Sequence, residues 1–141
     1  MFLATTALEE FWDLNDKIVF LGEWCKLYSR KDFWSKLDYI EMPEISSMWQ
    51  DTKKIDDSIY YCDLVYEKTL DSLTRLLNNI HGINKDKQYY RIIIGNWLFT
   101  FINIIFERYQ NLKYAIDKYN RLNTFSLDRK QYIIPIDYDD F

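Results

Sequence analysis

The residue types best able to do chemistry gather at a few places. Gly22-Glu23-Trp24-Cys25 closes a run of apolar residues. A Gly that frees the backbone beside a carboxylate and an indole suits the carboxyl end of a strand, where open α/β sheets bind their ligands. A sugar or a base fits such a place, with Gly22, Glu23 and Trp24 as binding residues and Glu23 as a candidate acid or base. A tight turn with Trp24 packed and Glu23 solvated accounts for the same letters. Cys25 has no sequence-near base to activate it and reads as a packed thiol. Arg30 and Lys31 follow in Tyr28-Ser29-Arg30-Lys31, where basic side chains at a helix start can receive a phosphate or simply face water.

His81, the single histidine, is the second catalytic candidate, because a neutral-pH general base is usually a His or a tuned carboxylate. Its place before Gly82 equally suits a histidine stabilising the last carbonyls of a helix. Arg91 stands before the apolar run Ile92-Ile93-Ile94-Gly95-Asn96-Trp97. It can clamp a carboxylate or phosphate bidentately, or form a structural ion pair with an acidic neighbour, the reading favoured by its position at the edge of the run. Neither the phosphate-loop motif nor the G-x-G-x-x-G fingerprint is present. Two cysteines, Cys25 and Cys62, make neither a disulfide framework nor a zinc site, so no metal is expected.

The elements that must hold these residues are legible from periodicity. Phe2 to Thr5 is a short β-tolerant segment, Ala7 to Asp13 is helix-prone, and Lys17 to Leu21 is a continuous apolar run that suits a strand covered on both faces. A third strand is expected over Asp38 to Glu41, ended by Pro43. From Trp49 the period changes to helical. Ile55, Ile59, Cys62, Tyr66, Thr69, Leu73, Leu76 and Ile80 form one stripe, widened by Leu70 and Leu77, with Gly82 as the stop. Asp86 caps a second long helix. Gly95-Asn96 reads as an interruption, after which Leu98, Ile102, Ile105, Tyr109, Leu112, Ile116 and Tyr119 resume the stepping. Two such helices with a short connection predict an antiparallel pair. Beyond Asn123, Thr124 to Leu127 and Tyr132 to Ile136 are short β-like runs, the second made an edge or an arm by Pro135.

The expectation is a helix-rich α/β chain: a strand and helix segment over 1–45, long helices over 49–119 and an extended arm over 120–141. Its few short, parallel strands are too few to complete a doubly wound, Rossmann-like domain. The apolar end, Ile133-Ile134-Pro135-Ile136 with Tyr138 and Phe141, points to partners elsewhere and to an incomplete domain.

With 141 residues, 48% of them apolar and 18% aromatic, the chain is long and apolar enough to fold as one domain. A net charge of −4 from interspersed acids and bases offers no basic field, so generic nucleic-acid binding is disfavoured. Met1 to Thr6 lacks the basic start of a signal peptide. Ile92 to Phe106 is about five residues short of the ~20 needed for a membrane span and contains Asn96 and Asn103, so a buried helix and no transmembrane segment are expected.

Several blocks together resemble a known family. They are Phe2 to Trp12, Phe20-Leu21-Gly22-Glu23-Trp24-Cys25 with Tyr28-Ser29-Arg30, Ile80-His81-Gly82, and Tyr90-Arg91-Ile92-Ile93-Ile94-Gly95-Asn96-Trp97-Leu98. In this order, over nearly the whole chain, they are similar to the opening of a bacterial family of transferases from O-antigen and related surface-polysaccharide clusters. The family usually has Pro at the position of Asn96, so a rigid turn after Gly95 is not implied here. Its members are several times longer, which implies that residues 1–141 are an N-terminal portion. The resemblance also implies a cytoplasmic protein, reaching at most to the inner membrane, that acts on a nucleotide-sugar donor and a glycan or lipid-linked acceptor with the donor mostly on a C-terminal half. It implies no other cofactor and no catalytic residue. A different class, a non-catalytic helical interaction module, follows from the two long stripes and the apolar tail alone.

Overall fold

The computed structural model describes residues 1–41 and 51–126. The expectations for Pro43, Trp49, Leu127 and the segment from Tyr132 to Phe141 lie outside those residues. The chain divides into two compact units, Met1–Glu41 with Tyr119–Phe141, and Met42–Lys118.

The first unit is built on three parallel strands, β1 (Phe2–Ala4), β2 (Ile18–Phe20) and β3 (Tyr39–Glu41), in the order β1-β2-β3. Phe2 aligns with Ile18 and Ile18 with Tyr39. Every residue of β1 and β2 is buried, which is why these runs are apolar throughout instead of alternating. The segment expected to be helical over Ala7 to Asp13 is only a 3₁₀ turn, Glu9–Phe11. Its Trp12 indole donates back to the Thr6 carbonyl at 2.8 Å, folding the crossover tightly against the strands. After β2 come two further 3₁₀ turns, Glu23–Cys25 and Tyr28–Arg30, and the single-turn helix α1 (Lys31–Trp34). Trp12 meets Phe20 edge-on at 5.1 Å, Phe20 meets Tyr39 at 5.5 Å, and Tyr39 meets Trp34 at 6.1 Å. Offset and edge-on ring pairs of this kind add about 0.5–1.5 kcal/mol each beyond their burial.

The free edge of β1 is covered from far along the chain. Asn123 bridges Phe2 in parallel, the Leu3 N–H donates to the Asn123 carbonyl at 2.7 Å, and the Asn123 N–H donates to the Met1 carbonyl at 3.0 Å. The Thr124 hydroxyl adds a bond to the Leu3 carbonyl at 2.9 Å. The β-like run expected from Thr124 forms no strand over its described residues, 124–126; the pairing is confined to the single bridge at Asn123.

The second unit is a pair of helices, α2 (Thr52–His81) and α3 (Lys87–Lys118). Asp51 caps α2 by accepting from the N–H groups of Lys53 and Lys54. Gly82 ends it in the left-handed region at φ 62°, ψ 31°, a conformation that costs a side-chain-bearing residue about 1 kcal/mol or more. Asp86 accepts the Tyr89 N–H at 2.8 Å, as its type and position imply. Asn78 fixes the connection: its amide donates to the Lys85 carbonyl at 2.8 Å, and its oxygen accepts from the Lys85 N–H and the Tyr90 hydroxyl at 2.9 Å each. The two helices lie antiparallel around Leu70, Tyr90 and Leu98, with Tyr66, Leu73, Leu77, Ile94 and Ile102 packed against them.

Two expectations fail here. Gly95-Asn96 does not interrupt α3, which runs unbroken through both. Gly95 is instead buried, and a Cβ added there would lie 2.7 Å from the Tyr66 hydroxyl. The glycine makes room for a neighbouring side chain, at a helix cost of about 1 kcal/mol relative to Ala. The run Ile92 to Phe106 is also not a buried helix: Ile92 is 77% exposed and Ile93 57%, and Trp97, Phe99 and Ile105 are exposed as well. By length and composition alone, α3 is long and apolar enough to cross a membrane. Likewise Ile59, Leu76 and Ile80 on α2 are exposed, because a stripe this wide gives the partner helix only part of itself to cover.

Candidate functional site

All three strands are parallel, so their carboxyl ends lie along one edge of the sheet. The Leu21 N–H donates to the Ala4 carbonyl at 3.0 Å, and the Cys25 thiol donates to the same carbonyl at 3.2 Å, which ties the end of β2 to the end of β1. Cys25 is fully buried, a packed thiol as read from the sequence. Gly22 is extended, so its backbone would admit any residue, but a Cβ there would run into the Trp24 ring. The glycine lets the indole fold back over the strand end.

Glu23 starts the 3₁₀ turn after Gly22 and is exposed. Its carboxylate pairs at 2.8 Å with the Lys26 ammonium, whose side chain is only 3% exposed. The ammonium lies 5.8 Å from the Phe20 ring centroid and 5.1 Å from that of Trp34. Aromatic faces offset part of the desolvation cost of such a cation, so Lys26 is a firm anchor for an otherwise solvated carboxylate. No sequence signal singled out Lys26; its burial depends on where Trp34 returns.

Arg30 reaches from the next 3₁₀ turn to Glu9, Nε donating to Oε1 at 3.0 Å and Nη2 to Oε2 at 2.8 Å. The two-point bond holds the Glu9 carboxyl below the usual carboxylate range and the guanidinium above its own. Solvent screens an exposed pair of this kind, which leaves it within reach of a dianionic competitor. Lys31 lies 5.6 Å from the ring of Tyr28.

In the helical unit, Arg91 grips Glu67, Nη1 to Oε1 at 2.8 Å and Nη2 to Oε2 at 3.0 Å, the structural ion pair favoured from the sequence. Lys87 lies 2.6 Å from the same carboxylate and 2.8 Å from Asp71. Hydrogen bonds from Arg91 first, then Lys87, push the Glu67 carboxyl down to about 2. Arg91 also lies 5.5 Å from the Tyr66 ring. Glu67, Asp71 and Lys87 passed unnoticed in the sequence; Glu67 and Asp71, four apart on α2, are a like-charge pair that needs cations from elsewhere, and Lys87 and Arg91 of α3 supply them. His81 is the exposed last residue of α2. Glu23 and Arg30 therefore belong to the sheet unit, and His81 and Arg91 to the helical unit.

The helical unit also holds a groove of about 380 Å³ between α2 and α3, lined mainly by Ile55, Ile59, Cys62, Phe99, Asn103 and Phe106. Burial, then the charge of Asp63, raises the Cys62 thiol above its ordinary value, which makes it a poor nucleophile. Among the described residues no group of three or more His, Cys, Asp or Glu is placed to hold a metal ion.

The sequence model of one protein family, the LIC12162 family transferases, matches residues 1–141. No curated protein and no solved structure matches the chain.

Proposed function

Because the chain belongs to the LIC12162 family of transferases, we propose that it supplies one wall of a glycosyl-transfer site in the assembly of a bacterial surface polysaccharide such as O-antigen. The observation that carries the reading is the three-stranded parallel sheet with Gly22, Glu23 and Trp24 at the carboxyl end of its central strand. Open sheets of this kind, of which the Rossmann-like folds are the fullest examples, bind ligands along that edge. The resemblance of Phe20 to Cys25 and of Tyr90 to Leu98 to surface-polysaccharide transferases supports the sugar chemistry and a cytoplasmic location.

In the transfer, an acceptor hydroxyl attacks the anomeric carbon of a nucleotide-sugar. The new C–O bond forms as the bond to the nucleoside diphosphate breaks, and the diphosphate leaves with the electron pair. The hydroxyl proton needs an acceptor, and Glu23 is the exposed carboxylate at the strand end, anchored by Lys26 at 2.8 Å. Arg30 is the phosphate ligand of this reading, exchanging Glu9 for the leaving diphosphate. His81 and Arg91 remain candidates on the helical unit, Arg91 through release from Glu67. A glycan or lipid-linked acceptor is the other substrate.

The test incubates the protein with cytidine- and uridine-linked sugars and a panel of glycan and lipid-linked acceptors, and follows release of the nucleotide. Transfer abolished by Glu23→Gln and weakened by Arg30→Ala is expected. A folded protein that neither binds nor turns over any donor sinks the reading.

A second reading has its own observation. The apolar residues exposed on the helices, Ile92 above all with Ile80 and Ile116, favour a helical interaction module. Light scattering separates the two, since a monomer with no tendency to associate removes the module. Liposome flotation treats α3 in the same way, and protein left with the lipid after a salt wash would replace a protein-covered helix by a membrane-bound one.

A further inference from the structure

The order of pairing across the sheet reverses at β1. From β1 the chain moves outward to β2 and then β3, and after α3 it returns to the opposite edge of β1, where Asn123 pairs in parallel with Phe2. Across the sheet the order is therefore Asn123, β1, β2, β3. Two parallel segments lying side by side bring the residues that follow them together at their carboxyl ends, the edge along which open sheets bind ligands. The departing segments here are Thr5-Thr6 after β1 and Thr124-Phe125 after Asn123. They line one notch, together with Phe2 and Phe11, of about 10 Å³. That is room for a single water or hydroxyl group.

The chemistry of the lining selects the ligand. Among the described residues no charged side chain lines the notch, which disfavours a phosphate there. Three threonine hydroxyls do. The Thr124 hydroxyl gives its proton to the Leu3 carbonyl at 2.9 Å and keeps its lone pairs for a donor. The Thr6 oxygen accepts the Leu8 N–H at 3.3 Å and keeps its proton for an acceptor. Phe125 stands beside them half-exposed, held at 5.3 Å by the Phe2 ring. Hydroxyl donors and acceptors beside an exposed aromatic face match a neutral polyhydroxylated ring, one of whose hydroxyls enters the notch while its C–H face covers a phenyl ring.

We propose that the notch between Thr5-Thr6 and Thr124-Phe125, at the point where the strand order reverses, binds a neutral sugar ring of the acceptor. The choice of acceptor sugar rests on the transferase reading; the position of the site does not. It lies one strand away from Glu23, and it gives residues Thr5, Thr6, Thr124 and Phe125 a role that the sequence alone did not suggest.

Backbone amide NMR of the full chain, titrated with methyl glycosides of glucose, galactose and N-acetylglucosamine, tests it. Shifts centred on Thr5, Thr6 and Asn123 to Phe125 are expected. Thr5→Val should weaken binding about threefold to tenfold, the range of one net hydrogen bond. Phe125→Ala should weaken it at least as much, with the thermal melt of each variant unchanged. Shifts centred on Gly22 to Trp24 instead overturn the notch and leave the transferase reading standing. Absence of any shift from a folded chain overturns the notch too, as do the same shifts produced by uridine diphosphate, which would make it a donor site. If the glycoside shifts appear where expected but no donor is ever turned over, the notch stands and the glycosyl-transfer reading falls.

Discussion

The two units solve the burial of apolar surface in opposite ways. In the sheet unit the strands are only three residues long, yet β1 and β2 are completely covered, and Trp12, Phe20, Tyr39 and Trp34 interlock ring against ring. In the helical unit the elements are ten times longer, but the buried side chains are few, Leu70, Tyr90 and Leu98 with Cys62 and Ala115 apart from them, while Ile80, Ile92 and Ile116 remain exposed. Extent of secondary structure and extent of core are thus separate quantities. Two helices alone offer each other one face, whereas every residue of β1 and β2, on whichever face it lies, is covered.

The contrast can be broken experimentally. Phe20→Ala removes the ring at the centre of the sheet unit and should cost about 3–5 kcal/mol, the greatest loss of any single truncation, read from urea unfolding. Leu98→Ala should cost about 2–5 kcal/mol, falling toward the low end because so thin a core can close around the gap. A larger loss from Leu98 than from Phe20 would reverse the comparison. At Gly95, Ala should destabilise because the new methyl group meets the Tyr66 hydroxyl at 2.7 Å. In a Tyr66→Phe background the same change should become neutral or stabilising by up to about 1 kcal/mol, the gain in helix propensity.

Acid separates the units further. The Glu67 carboxyl is depressed to about 2 in the folded chain, so its contribution is present above the usual carboxylate value of 4.5 and is lost as pH falls toward 2. Acid titration followed by helical circular dichroism should show this loss, and Glu67→Gln should flatten it. The smallest effect is expected from Ile92→Gln with Ile93→Gln, within about 0.5 kcal/mol of the parent because both sites are exposed. A substantial loss of stability there would mean that the face is covered in solution.

Much of this was legible. The Lys17 to Leu21 run, the Gly82 stop and the Asp86 cap each state a local requirement, and β2, the end of α2 and the start of α3 follow them. Arg91 was legible as an ion pair for a similar reason, an arginine at the edge of an apolar run needing a carboxylate. What escaped was set by distant residues. Gly95 looked like a break, because a glycine that accommodates Tyr66 from another helix is spelled in the same way as one that ends its own. The wide stripe on α2 did not say which of its members α3 would cover. The cover on β1 was invisible since Asn123 carries no periodic signal, and with it went the notch at Thr5 and Thr124. At the strand end, Glu23 could be read from its neighbours, but the ammonium that anchors it could not.

The bond from Thr124 to Leu3 joins residues 121 apart in the chain, and this sets an order of events. Closing so long a loop in a disordered chain is slow, since the entropy of bringing the ends together must be lost before any contact repays it. An antiparallel helical hairpin forms from local contacts and carries the chain back toward its own starting point, which shortens the span left to close. The paired helices would then form before the sheet is completed. Disrupting the Asn78 clamp between them should slow the appearance of the sheet more than it weakens the sheet once formed.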